Sequence, residues 1–224
     1  MIKFAPEGYP FILGSFVIAV VLSIFLFWMR KAGSGHVVIY FFTAAFWMSL
    51  ILVFFMLFFF RDPDRKIPEG AGLFVAPADG RVMLVKDVFE KDYLKAETRE
   101  ISIFMSPLNV HVNRAPCDGT VTAVKYSPGK YMAAYKEDSS IENENIVMVL
   151  EGKQGRVLVR QVAGSLARRA VCRAKVGDVM ARGERYGIIK FSSRLDVYLP
   201  KNAGIEIKMG EKVKAGETVL AVVN

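Results

Sequence analysis

The sequence predicts a transmembrane helical hairpin at the N-terminus followed by a mostly-β domain, folded as a barrel-like sandwich with internal pseudosymmetry. Three observations carry that prediction. Two long apolar segments open the chain, charges and prolines arrive abruptly at residues 61–68, and beyond them short β-type runs alternate with glycine turns.

Residues 12–28 contain no charged side chain. Tyr9, Pro10 and Phe11 extend the apolar stretch and Trp28 gives it an interfacial end, so a helix over about residues 9–29 is expected. The second segment, residues 37–60, holds 24 uncharged residues rich in phenylalanine and leucine. As a helix it would reach about 36 Å, enough to cross a bilayer core of about 30 Å. Arg30-Lys31-Ala32-Gly33-Ser34-Gly35 makes the turn between the two. A cleaved signal peptide fits poorly, because no small-residue cleavage site follows the first segment and another span comes directly after it. A pair of interfacial or re-entrant helices is the alternative to a spanning hairpin. Positive charge stands in the loop and after the second span, and by a small margin it places the following domain on the cytoplasmic side of the cell membrane.

At Arg61-Asp62-Pro63-Asp64-Arg65-Lys66-Ile67-Pro68, charges and two prolines end any helix and begin a water-soluble domain. The expected division is an anchor of residues 1–60 and one domain of residues 61–224. Runs such as Ile101-Ser102-Ile103-Phe104, Ile146-Val147-Met148-Val149-Leu150 and Thr218-Val219-Leu220-Ala221-Val222-Val223 read as strands. Val176-Gly177-Asp178-Val179-Met180-Ala181-Arg182-Gly183-Glu184 and Gly210-Glu211-Lys212-Val213-Lys214-Ala215-Gly216-Glu217 are similar turn units, about 34 residues apart, which predicts the pseudosymmetry.

Charge is uneven. Residues 61–164 carry 15 basic and 15 acidic side chains, whereas residues 165–224 carry 12 against 6, so the last sixty residues hold most of the net charge of +8. Beside a membrane such a surface attracts anionic headgroups, at about 1 kcal/mol per basic residue near the surface. Nucleic acid is not an expected partner, since no nucleic-acid motif accompanies the charge. Two histidines and two cysteines, with no H-x-x-H, H-E-x-x-H or C-x-x-C spacing, argue against a metal site, and Cys117 and Cys172 are expected to remain thiols. His36 opens the second apolar segment. His111, in Phe104-Met105-Ser106-Pro107-Leu108-Asn109-Val110-His111-Val112-Asn113-Arg114-Ala115-Pro116, is the only histidine of the domain able to act as an acid or base near neutral pH.

Gly164-Ser165 offers a second kind of chemistry. An unhindered glycine carbonyl lets the following serine hydroxyl attack its own preceding peptide, shift it to an ester and break the chain by β-elimination. Residue 165 would then hydrolyse to a pyruvoyl group, a ketone that forms a Schiff base with an amine and accepts electrons from a breaking bond. A plain Gly-Ser turn is the alternative. Arg168 and Arg169, just downstream, are able to hold a phosphate or carboxylate.

Taken in order, Phe59-Phe60-Arg61-Asp62-Pro63, Ala76-Pro77-Ala78-Asp79-Gly80, Phe104-Met105-Ser106-Pro107 through His111, Gly164-Ser165 with Ala167-Arg168-Arg169, and Phe191-Ser192-Ser193-Arg194-Leu195-Asp196-Val197-Tyr198 resemble the phosphatidylserine decarboxylases, in particular the short form found in archaea and many bacteria. The likeness covers almost the whole chain. It implies a proenzyme that cleaves itself into a membrane-bound β subunit of residues 1–164 and an α subunit of residues 165–224 headed by pyruvate, with no metal. It also implies the reaction, decarboxylation of an anionic serine phospholipid to its ethanolamine counterpart. Within that resemblance Ser165 carries the pyruvoyl group, His111 protonates the substrate carbon and Asp79 assists self-cleavage. The residues expected at the substrate's anionic groups are Arg114, Arg168 and Arg169. Two positions depart from the family. Longer bacterial members carry a second histidine where this chain has Arg114, and Ser192 stands where glycine is usual.

A membrane-anchored carrier or adaptor with a lipoyl- or biotinyl-like barrel, modified at Lys208, is the rival reading, and the glycine-turn units suit it. It gives no role to His111 or to Gly164-Ser165. Oligomeric state stays open, a homo-oligomer included, as do acyl or isoprenoid tails on the lipid.

Overall fold

The structure is a computed structural model describing residues 3–130, 143–164, 169–190 and 193–223. It divides into two compact units, residues 1–63 and 64–224.

In the first unit a 3₁₀ turn (Pro6–Gly8) leads into α1 (Tyr9–Lys31), and α2 (His36–Phe59) returns after a turn in which Gly33 adopts φ +70°. Both helices are long and apolar enough to cross a membrane. Their serine and threonine hydroxyls bond back to the helix: Ser15 donates to Ile12 O, Ser23 to Val20 O, Thr43 to Ile39 O and Ser49 to Phe46 O, at 2.6–2.9 Å. Phe25 meets Phe42 edge-on at 4.8 Å between the helices. Phe27, Trp28, Phe41, Trp47 and Phe54 point outward, an apolar surface suited to lipid. Ala5 N–H donates to Phe60 O and Asp62 N–H to Lys3 O, which closes the open end of the hairpin.

The second unit is antiparallel. Its strands in chain order are β1 (Leu73–Val75), β2 (Gly80–Glu90), β3 (Ala96–Met105), β4 (Val112–Arg114), β5 (Gly119–Ser127), β6 (Asn145–Gly152), β7 (Gly155–Ala163), β8 (Ala170–Cys172), β9 (Val179–Met180), β10 (Arg185–Ile189), β11 (Ser193–Pro200), β12 (Gly204–Ile205), β13 (Lys212–Val213) and β14 (Val219–Val222). A curled, half-barrel sheet runs β13-β2-β3-β11-β7-β6-β5-β9, and two small sheets run β1-β14-β12 and β4-β10-β8. Alternate residues of the large sheet, among them Ile101, Ile103, Met105, Val157, Val159, Leu195 and Val197, face the core with Phe74 and Leu220 of one small sheet and Tyr186 and Ile189 of the other. The other face is polar near β3 and β11. There Arg194 is buried with Asp196, Glu100 and Ser102.

The pseudosymmetry expected from the turn units is present and extends further than they suggest. Ala76-Pro77-Ala78-Asp79-Gly80-Arg81-Val82 recurs as Ala115-Pro116-Cys117-Asp118-Gly119-Thr120-Val121, 39 residues later. Each copy docks on one turn unit through a similar pair of backbone bonds, with one acceptor offset by a residue. Ala76 N–H reaches Thr218 O while Gly216 N–H reaches Ala76 O; Ala115 N–H reaches Glu184 O while Gly183 N–H reaches Ala115 O. Gly183 and Gly216 both take a left-handed φ, +79° and +76°, that a side chain would strain. The two aspartates cap equivalent turns: Asp79 accepts from Ala215 N–H and Asp118 from Arg182 N–H, each at 2.8 Å.

Candidate active site

Several strand ends converge at one end of the large sheet. Met105, the last residue of β3, pairs with Ser193, the first of β11, and Ser193 pairs in turn with Ala163, the last of β7. On either side, Arg81 near the start of β2 pairs with Phe104, and Asn145 at the start of β6 pairs with Val162. Three sequence-predicted residues therefore come to this end: Asp79 just before β2, His111 in the connection after β3, and Gly164 directly after β7. Gly164 is buried. Ser165 and Arg168 lie outside the described residues, as does Ser192.

His111 is fully buried, and its Nδ1–H donates to Asn109 O at 3.0 Å. That bond sets the ring's tautomer and orientation. The tight turn before it is held by Ser106 N–H donating to Asn109 Oδ1 and Asn109 N–H to Ser106 O, both 2.9 Å. Ile189 N–H donates to His111 O, and the next residue, Lys190, donates its N–H to Arg169 O. The end of β10 thus bridges the His111 segment and the start of the chain that resumes after the junction. Arg169 itself is exposed.

Asp79 is held by three donated bonds, two from Arg65 Nη2 at 3.0 and 2.8 Å and one from Ala215 N–H. Arg65 also reaches Glu217 at 3.5 Å. Arg114, buried, donates Nη1 to Gly183 O at 2.9 Å, and its stem lies against Gly216. It therefore bridges the two pseudosymmetric turns, a scaffold position that its motif alone did not indicate.

Sequence reasoning passed over a set of buried polar residues at the same end. Gln161 of β7 donates Nε2 to Asn113 Oδ1 of β4 at 2.8 Å and to Val171 O of β8 at 3.2 Å, tying the large sheet to the small one beneath the junction. Asn143 donates Nδ2 to Ala163 O at 2.7 Å, and Asn145 donates Nδ2 to Asn143 O at 2.9 Å. For Gln161 the available signal was an amide inside a β-type run, whereas Asn143, between Glu142 and Glu144, gave none. On the polar face of the sheet, Lys86, Glu100, Asn145, Arg160, Arg194 and Tyr198 line a cavity of about 580 Å³.

The sequence profile of one family, phosphatidylserine decarboxylase, matches residues 52–221. The chain belongs to the phosphatidylserine decarboxylase family. Among its relatives, a phosphatidylserine decarboxylase proenzyme of Citrifermentans bemidjiense is 47% identical over 219 residues, covering 97% of this chain and 95% of the relative. Proteins of that same name from Geobacter metallireducens and Ralstonia nicotianae are 43% and 44% identical, each covering 97% of this chain and 95% and 94% of their own length. The resemblance read from the motifs is thereby a family membership.

For this member of the decarboxylase family, the exposed turn carrying Lys208 has an internal explanation. Lys208 N–H donates to the Glu211 carboxylate just as Lys175 N–H donates to that of Asp178, so the turn is one copy of a repeat. Among the described residues no group of three or more His, Cys, Asp or Glu is arranged to hold a metal ion. Cys117 and Cys172 are free thiols, and burial, with Asp118 adding to it, pushes the Cys117 thiol up to about 12.

Proposed function

We propose that this chain is a pyruvoyl-dependent phosphatidylserine decarboxylase that matures by cutting itself between Gly164 and Ser165. The observation that carries the reading is the placement of Gly164 at the buried end of β7, at the same sheet end as the buried His111, in a chain of this family. Its substrate is an anionic serine phospholipid, which α1 and α2, as a membrane hairpin, keep within reach.

In the self-cleavage, Ser165 Oγ attacks the Gly164 carbonyl carbon, and the peptide bond breaks as an ester to Oγ forms. Loss of the Ser165 Cα proton then expels Gly164 as a carboxylate, and water releases ammonia from residue 165, leaving a pyruvoyl group. Asp79, on this reading, holds the start of β2 against the junction; Arg65 and Ala215 N–H already occupy its oxygens, which suits orientation better than proton abstraction.

A pyruvoyl group fits the site because the peptide before it is fixed and buried and a histidine with one committed nitrogen stands at the same end. Such a group would supply a ketone for condensation with the substrate amine and an electron sink for the bond to the departing carboxylate. His111 holds the proton for the substrate carbon at Nε2, its ring oriented by Asn109 O. Arg168 and Arg169 hold the lipid phosphate. Arg114, between Gly183 and Gly216, supports maturation through the turns it joins.

Intact mass of the purified protein tests this. Two chains are expected, split after Gly164, the smaller one refractory to Edman degradation, and Ser165→Ala should give one inactive chain. A wild-type preparation that decarboxylates serine lipid as a single chain would sink the pyruvoyl reading.

A further inference from the structure

Ala163, the residue before the proposed scissile dipeptide, sits where a regular ladder has been altered. A hydrogen-bonded pair of antiparallel strands exchanges two backbone bonds. Continued past Asn145↔Val162, the β6–β7 register sets Glu144 opposite Ala163. Only half of that exchange is made by backbone: Ala163 N–H donates to Glu144 O at 2.9 Å, but Glu144 N–H turns away to Lys130 O at 3.1 Å. The Ala163 carbonyl receives the Asn143 side-chain amide instead, at 2.7 Å. Asn143 is itself held by Asn145 Nδ2 on its carbonyl and is fully buried.

The Ala163 carbonyl and the Gly164 nitrogen belong to one rigid peptide plane. Whatever holds that oxygen therefore fixes the plane on the N-terminal side of Gly164, from which the two dihedrals of Gly164 direct its own carbonyl. We infer that Asn143 is a positioning residue for self-cleavage, a side-chain stand-in for a ladder bond that locks the peptide plane before the scissile one. This rests on the cleavage reading above and extends it to a residue outside the scissile dipeptide, which acts through the Ala163 carbonyl. The contribution is orientational, and misplacement by a fraction of an ångström is costly when two groups must meet in a set geometry.

Two isosteric substitutions separate donation from mere packing. Asn143→Leu keeps the volume and has no donor at any pH. Asn143→Asp loses the donor when ionised, but regains an O–H for Ala163 O when protonated, and a buried carboxyl facing a carbonyl titrates above its ordinary range. Freshly synthesised full-length chains in detergent are followed by intact mass from pH 5 to pH 8, with wild type alongside. At pH 8 both variants are expected to cleave about 10- to 100-fold more slowly than wild type, the effect of stripping a donor from a buried acceptor. Towards pH 5 the Asp variant should recover relative to wild type and the Leu variant should not. If Asp tracks Leu across the whole range, or if both cleave at the wild-type rate, the inference falls while the cleavage reading stands. A wild type that never splits after Gly164 sinks the reading itself.

Discussion

Arg65 holds Asp79 with a single guanidinium nitrogen that meets both carboxylate oxygens, at 3.0 and 2.8 Å, where both side chains are nearly out of solvent. The pseudosymmetric Asp118 makes the same backbone bond, to Arg182 N–H, in the other copy of the motif. Capping the turn is thus a duty the two aspartates share, and position beside the junction belongs to Asp79 alone.

Stability and cleavage should therefore separate. In the uncleavable Ser165→Ala background, Arg65→Ala is expected to cost about 3 kcal/mol, because it strands a buried carboxylate. Asp118→Ala should cost about 1 kcal/mol, one hydrogen bond's worth, with urea unfolding as the measure. With Ser165 restored, Asp118→Ala should still split after Gly164 while Asp79→Ala accumulates as one chain. Equal cleavage of the two would reduce Asp79 to a turn cap.

His111 and Arg114 lie three residues apart and should fail differently. His111→Ala is expected to cleave but to lose decarboxylation by about 10²- to 10⁴-fold per mature chain, the usual toll of removing a general acid. Arg114→Ala should slow maturation, since it releases Gly183 O and the contact with Gly216. Processed fraction and turnover per pyruvoyl, measured together, distinguish them. An uncleaved His111→Ala beside a normally maturing Arg114→Ala would reverse the assignment.

Glu100 links stability to pH. Burial, then the neighbouring Asp196 charge, raises its pKa despite Arg194 and Lys86. An acid whose pKa is higher in the folded state binds its proton more tightly there, so its contribution is fully present below the unfolded value of 4.5 and is lost as pH rises through the folded one. Glu100→Gln mimics the protonated form and should remove that loss. Variant and wild type should melt most alike near pH 4.5, and the variant should gain relative to wild type as the pH is raised to 7.5. A difference that does not vary with pH would show that Glu100 folds with its ordinary affinity for a proton.

Much of this fold was legible because its strongest signals are local. Helix length in α1 and α2 follows from uninterrupted apolar composition, and the turn units announce themselves through glycines at left-handed positions. The duplicated Ala-Pro-x-Asp-Gly-x-Val motif was equally visible in the residues, but its meaning depends on which turn each copy docks against, and those pairings are distant in sequence, Ala76 with Gly216 and Ala115 with Gly183. At the site, Gly164, His111 and Asp79 stood out by residue type. Asn143 did not, since its importance comes from a bond that Glu144 declines to make. Arg114 invited a substrate role for its charge, and only the positions of Gly183 and Gly216 show what surrounds it.

Strand order has a consequence for a chain cut after Gly164. The segment beyond the cut supplies β9 and β13 at the two edges of the large sheet and β11 in its interior, and β10 and β14 are the middle strands of the small ones. The two pieces would be interlaced, each completing the other's hydrogen bonding, and neither could leave without dismantling all three sheets. Folding would accordingly have to come before such a scission. The two-chain product would inherit its interface from a single polypeptide, so it needs no encounter between separate partners, and it should part only under denaturation.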